Sequence, residues 1–447
     1  LNIAISPLQK LNDKKVKKIL MTILVLTTWI GNAQITKEEQ TKMIVHIVDS
    51  INKANLEANK KVATANAETK TPEKKSKLYN MSAKGIGFTA ADSLFQMNMG
   101  LRIQSRAGYF KSEDSDGFVE GEVRRMRLKF NGFVVDPKFS YKIELGFSAG
   151  DMGVIKAGQN ENVILDAVFY YKPTKNWSLG FGQTKLPGNN QRVISSGALE
   201  FTDRTINNAE FNIDRDFGFF IDYKTHHADR FSYSVITALT KGEGRNWTIT
   251  QDEGVSLTGK LELFPLGTFT NNGNLFEADL EREKTLKWMI SGAYNQNNAA
   301  IRTRGQLGNL LFAPRTLRST FFDTMLKYNG WAAEASYMSR DNDNPITYDP
   351  INASKTSVVV AGHGFDTQLS YLFPSNIGIS GRYSKLYSDE SVKMFYPDID
   401  EAAIGLSKYF LQHKLKIQAE GSYETSHDYT NVDSSSWYVR FQVEIGI

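Results

Sequence analysis

The chain has 447 residues, no cysteine, 53 Lys and Arg against 49 Asp and Glu, 41% hydrophobic residues and 12% aromatic ones. Zero Cys excludes a disulfide framework and thiolate metal sites. A net charge of +4, without any basic run interleaved with aromatics, excludes a nucleic-acid partner, and the composition is too polar for a helical membrane protein.

In chain order, the first element is KKVKKILMTILVLTTWIGNAQ. Lys14, Lys15, Lys17 and Lys18 form a positive region, 19–30 is a short apolar stretch, and Gly31-Asn32-Ala33 ends on a small residue. These are the parts of a secretory signal, read as residues 1–33 with cleavage after Ala33 and with 1–13 upstream of the true start. Residues 34–80 are rich in Lys, Glu, Ala, Asn and Thr and poor in aromatics. Ile44, Ile47, Ile51, Ala54 and Ala58 follow a 3-4-3-4 spacing, so this segment reads as a solvated periplasmic tether or as a short helix with a coiled-coil seam.

From Leu94 the period changes to two. In LFQMNMGLRIQSRAGYF, Phe95, Met97, Met99, Leu101 and Ile103 alternate with Gln96, Asn98, Arg102 and Gln104, and the pattern recurs as far as 436–447. The whole makes about sixteen strands, long enough to cross a bilayer when tilted. Links after the even-numbered strands are short (134–138, 173–174, 227–228, 329–330, 374–375 and 411–412), while those after odd-numbered strands are long, including 186–213, 297–318 and 341–362; only 266–284 breaks the rule. Sorting of loops by parity is what an all-β, transmembrane antiparallel barrel over 94–447 requires, since its turns are tight on the periplasmic side and its loops long outside. In lipid the last strand must close on the first, because an unpaired backbone group there costs several kcal/mol. Trp177, Trp288, Trp331 and Trp437 lie near strand ends on the outward face and fit an interfacial girdle.

The alternate face then lines a watery lumen, because a barrel of this width is too broad to be filled by side chains. The first two strands direct Arg102, Arg106, Arg125, Arg127 and Lys129 inward, with no acidic partner among them. Elsewhere Lys142, Lys260, Lys287, Arg382, Lys414, Lys416 and Arg440 stand beside Glu144, Asp166, Asp222, Glu262, Asp323, Glu334, Asp366, Glu420 and Glu444. Arg124 falls on the lipid-facing parity, so it either snorkels or is turned inward by a bulge. Loop 186–213 is long enough to fold into the barrel and narrow it, with Arg192 and Arg204 at the constriction. Arg302, Arg304, Arg315 and Arg318 in 297–318 form a second basic patch at the mouth, read as a funnel for anions or as solvated loop.

With EVRRMRLKFNG, FSYKIELGFS, LDAVFYYKPTKNWSLGFGQTKLP, RVISSGALEFTDR and RDFGFFIDY in order between about 94 and 224, the chain resembles the phosphate-selective porin O and P family of bacterial outer membranes. The resemblance implies a sixteen-stranded homotrimer in which an arginine ladder feeds a constriction of basic and hydroxyl side chains. Matched by motif, the ladder arginine falls on Arg102 and the paired arginines on Arg124 and Arg125. The basic residue of the constriction loop falls on Arg192, the following serines on Ser195 and Ser196, and a further loop arginine on Arg204.

The expectation is a pore in the bacterial outer membrane for passive, anion-preferring diffusion of phosphate or other small anions, with lipid and the anions in transit as partners. The alternative is a non-conducting barrel that serves a secretion or assembly complex. No enzyme, cofactor or metal is expected: the chain has six His, no Ser-His pairing can be read from their spacing, and no His/Asp/Glu grouping has usable ligand spacing.

Overall fold

The computed structural model describes residues 79–82, 85–113, 115–153, 162–246, 253–430 and 432–447. The signal read at 1–33 and the tether at 34–80, apart from its last two residues, lie outside the described residues. A hairpin of β1 (Tyr79–Ser82) and β2 (Gly85–Thr89) precedes the barrel. The barrel opens with β3 (Phe95–Ser112), β4 (Phe118–Val134), β5 (Asp136–Gly146), β6 (Ile164–Tyr171), β7 (Trp177–Lys185) and β8 (Arg215–Lys224). It continues through β9 (Ser232–Thr240), β10 (Ser256–Phe264), β11 (Lys287–Arg302), β12 (Leu310–Tyr328) and β13 (Trp331–Asp341). A small outer hairpin, β14 (Ile346–Tyr348) with β15 (Thr356–Val358), leads to β16 (Gly362–Leu372), β17 (Ile377–Ser388), β18 (Asp398–Leu411), β19 (Leu415–His427) and β20 (Asp433–Gly446).

Every barrel strand pairs antiparallel with its neighbours, and β20 closes on β3 from Ser436↔Ser112 to Gly446↔Arg102. Sixteen strands therefore form a cylinder. Where β20 runs out, Ile447 still exchanges backbone hydrogen bonds with Leu101, and β2 takes over the same edge of β3 from Ile86↔Met99 to Thr89↔Gln96. The handover needs Gly85, whose φ is +109° and whose Cβ, if it had one, would lie 2.2 Å from the Met99 carbonyl oxygen. The short turns are as tight as the sequence asks: Asn329 (φ 46°) and Gly330 (φ 91°) are both left-handed, the geometry an Asn-Gly two-residue hairpin supplies.

The faces are inverted relative to a soluble protein. Phe181, Phe219, Leu261, Phe322, Leu369, Ile404 and Phe441 are exposed outside, while Gln104, Asp166, Lys327, Lys416 and Glu444 are buried inside. That inversion fits hydrocarbon around the wall and rules out a sandwich with a greasy interior. Among the described residues no helix is long and apolar enough to cross a membrane.

The lumen is not an open column. Loop 186–213 enters it, carrying α2 (Asn190–Val193) and α3 (Ile206–Phe211); α1 (Ala149–Met152) lies earlier, after β5. Asn189 and Thr205 cap these turns by accepting from the Arg192 and Asn208 backbone N–H. The exceptional link 266–284 also folds inward, from the short-turn end, burying Phe269, Glu277, Ala278, Asp279 and Glu283. The two inserts meet: the Glu277 N–H donates to the Ala198 carbonyl at 3.1 Å, and Ile194, Ala198 and Leu199 share an apolar cluster with Phe264, Phe269, Met289 and Met325.

Two expectations are corrected. Residues 297–318 are mostly strand, since β11 runs to Arg302 and β12 starts at Leu310. The four arginines there are engaged by local partners: Arg304 turns inward to Glu210 at 3.1 Å, Arg318 pairs with Asp343 at 3.0 Å, Arg315 donates to the carbonyls of Asn344 and Ile346, and Arg302 donates to that of Gly308. Two arginines of β3 and β4, Arg106 and Arg124, also do have acidic partners on β4, Glu120 and Glu122, for the reason given next.

Candidate functional site

Gln104 pairs with Arg125 and Ser105 with Val123, so Arg124 is the extra residue of a β-bulge. The bulge resets the alternation of β4. Arg124 and Arg125 therefore both reach the lumen, and Glu120 and Glu122, which strict alternation would place in lipid, point inward too. Glu122 meets Arg106 at 2.5 Å and Glu120 meets Arg440 at 2.8 Å.

Into this cluster the inward loop delivers Asp203. Its Oδ2 accepts from Arg106 (3.2 Å) and from two nitrogens of Arg124 (3.1 and 2.9 Å), and its Oδ1 from Arg125 (3.2 Å). Burial alone would raise this carboxyl, but Arg125, Arg124 and Arg106 outweigh it and hold the group well below the usual carboxylate range. Arg125 also donates to Gln104 at 3.0 Å. On the far side Arg127 is gripped by Asp151 of α1 and by Glu144.

Arg192 pairs with Asp214, whose carboxyl is likewise held down: burial would raise it, and Arg192 and Arg215 prevail. Arg204 is different. Its guanidinium donates only to the carbonyls of Gln191 (2.8 Å) and Ile194 (2.7 Å), and no carboxylate lies within ion-pair distance among the described residues. Burial, then Arg192 and Arg125 beside it, disfavours its charge. Lys185 at the end of β7 similarly donates to the carbonyls of Arg192, Val193 and Ile194.

These side chains border a cavity of about 590 Å³ whose wall carries ten cationic side chains against five anionic ones. It opens beside Phe110, Leu307 and Ser436, at the long-loop end. A second cavity of about 330 Å³ lies at the short-turn end beside Lys414, Gly446 and Ile447. Arg127 lines both. Of the residues singled out in the sequence, Arg124, Arg125, Arg192, Ser196 and Arg204 line the larger cavity, and Arg102 and Ser195 line the smaller. Arg102 bridges the divide, donating to the hydroxyls of Ser195 (3.2 Å) and Ser196 (2.8 Å). The seven thus divide between the two cavities and do not meet at one point.

Sequence reasoning did not assign Asp203, Asp214, Lys185 or Arg127 to this site. The signal for Asp203 was present, since it sits directly before Arg204 in the TDR motif. Its three partners, however, come from residues 78 to 97 positions away, a distance no local pattern spans.

A closed sixteen-strand barrel with an apolar outer face, narrowed by an inward loop, has the architecture of an outer-membrane porin. Residues 97–259 match the family model of phosphate-selective porin O and P, a match that takes in β3 to β9 and the inward loop and indicates the bacterial outer membrane. Among solved structures it is similar to the outer membrane channel DcaP of Acinetobacter baumannii, with 13% identity and TM-score 0.49 over 81% of this chain and 99% of that one. It is also similar to the anion-selective porin from Comamonas acidovorans, with 8% identity and TM-score 0.48 over 78% and 99%. OmpT of Vibrio cholerae aligns at 10% identity and TM-score 0.47 over 80% and 99%. No curated protein matches the chain.

Proposed function

We propose that this porin passes small anions, phosphate among them, down their gradient, without bond chemistry and without a cofactor. The observation that carries the reading is the cationic excess of the larger cavity, whose wall carries ten cationic side chains against five anionic ones. Fixed positive charge beside a narrow aqueous path attracts anions and repels cations, and forked guanidinium donors suit phosphate or carboxylate oxygens. Arg102, Arg124, Arg125, Arg192, Ser195, Ser196 and Arg204 are the proposed ligand-binding residues, in a homotrimer surrounded by outer-membrane lipid.

The test is the reversal potential of the pore in a planar bilayer under a salt gradient. Wild type prefers anions, and raising the ionic strength weakens the preference. Replacing Arg125→Ala together with Arg192→Ala lowers it severalfold, while the barrel keeps its heat-modifiable migration on gels. An unchanged reversal potential in the double variant refutes the site assignment, and a folded barrel that does not conduct refutes the pore.

A further inference from the structure

Asp203 occupies the position that a bound anion would take. Four guanidiniums, those of Arg106, Arg124, Arg125 and Arg440, share three carboxylates, those of Asp203, Glu122 and Glu120, which leaves one unit of positive charge. Glu120 and Glu122 belong to the wall. Asp203 comes from the loop and takes the donors that face the centre of the lumen. Its side chain keeps 28% of its surface open, as Arg124 keeps 21%, so solute in the cavity reaches both.

We propose that Asp203 is a tethered internal anion that sets the valence of the solute this constriction accepts. The reading rests on the anion pore proposed above and deepens it. With Asp203 in place, the spare charge suits a singly charged oxyanion, a carboxylate or dihydrogen phosphate, which binds beside Asp203 at Arg124 and Arg204. With the Asp203 charge removed, Arg106, Arg124 and Arg125 together with Glu122 carry two units of net charge, and a dianion competes successfully with the neutral side chain for those donors.

The experiment measures block of chloride current by sulfate, a dianion at neutral pH, and by acetate. In Asp203→Asn the half-blocking sulfate concentration falls about tenfold or more, because a charge at contact distance is removed, while that of acetate moves much less. Asp203→Glu keeps the charge and the wild-type ratio of the two. Glu122→Gln removes an equal charge from Arg106 but leaves the charged Asp203 on the three donors, and does not reproduce the gain for sulfate over acetate.

Equal shifts for both anions in Asp203→Asn overturn the proposal, as does the same sulfate preference in Glu122→Gln. If Asp203→Asn does not assemble, a sulfate preference in Asp203→Glu overturns it, and a wild-type ratio there with none in Glu122→Gln upholds it. Cation preference in wild type would instead sink the anion pore itself, which the reversal potential reads separately.

Discussion

The two sides of the lumen use their charges in opposite ways. On the side of β11 to β19 three wall carboxylates are spent on the inserts, while Glu401 and Glu424 border the larger cavity. Asp323 accepts from the Asn190 N–H and the Asn189 amide, Asp366 from Thr205 and Asn207, and Glu420 from the Thr202 N–H. Glu277 of the second insert accepts from the Gln191 amide and the Glu200 N–H. On the side of β3 to β8 the guanidiniums share fewer carboxylates and border water. A loop rich in amides and backbone donors thus ties down the acids and leaves the bases facing the path. Charge asymmetry of the pore comes from where the loop docks as much as from wall composition.

The largest test of this contrast removes what fills the acidic side. Deleting 270–282 takes out the insert that lies beneath loop 186–213. The widened lumen should conduct about twofold more, as an unfilled barrel of this size is an aqueous channel. Anion preference should not fall, because the deletion takes out Glu277, Asp279 and Glu281 with only one arginine, and leaves Asp323, Asp366 and Glu420 bound to loop 186–213. Single-channel recording checks both, and an unchanged conductance would mean the path does not border this insert.

A smaller effect is expected at Lys327, which lies fully buried and holds the insert through the carbonyls of Gly273, Phe276 and Ala278. Lys327→Met keeps the length and loses all three donations. Leaving those acceptors poorly paired costs about 3 kcal/mol, and the insert should loosen while the strands persist. Faster proteolysis within 270–284, with unchanged heat-modifiability of the barrel, is the signature.

What the sequence made legible follows the range of the interactions. The strands, the Asn329-Gly330 turn and the inward loop were readable because alternation and turn chemistry act over a few residues. At Arg124 the alternation left two readings open, and the bulge decided between them. The same bulge moved Glu120 and Glu122 from lipid to lumen, which no residue type announced. The insert 266–284 showed in the sequence only as a link too long for its side. Its docking depends on Lys327 and Gly330, the latter donating its N–H to Asp279 at 2.7 Å, some fifty residues further along. Asp203 was hidden in the same way, its partners being on strands that only barrel closure brings near.

The finest probe of the tied-down side is pH, acting where the two inserts touch. Glu200 is buried, receives the Gln368 amide at 3.0 Å, and sits against Glu277, which takes the same amide at 3.2 Å. Burial, with Glu277 adding to it, pushes the Glu200 carboxyl from 4.5 up to about 7. A carboxyl raised on docking favours the docked state in its protonated form. Its contribution is complete below the unfolded value near 4.5 and fades as pH rises through about 7. Between about pH 5 and about pH 8 the loop should lose on the order of 2 kcal/mol of fastening, seen as noisier and slightly larger single-channel currents at the alkaline end. Glu200→Gln keeps the hydrogen-bonding shape without the charge and should hold the acid-side behaviour across the range. A pH response of the same size in that variant would place the titrating group elsewhere, and the contrast between the two walls would then owe nothing to Glu200.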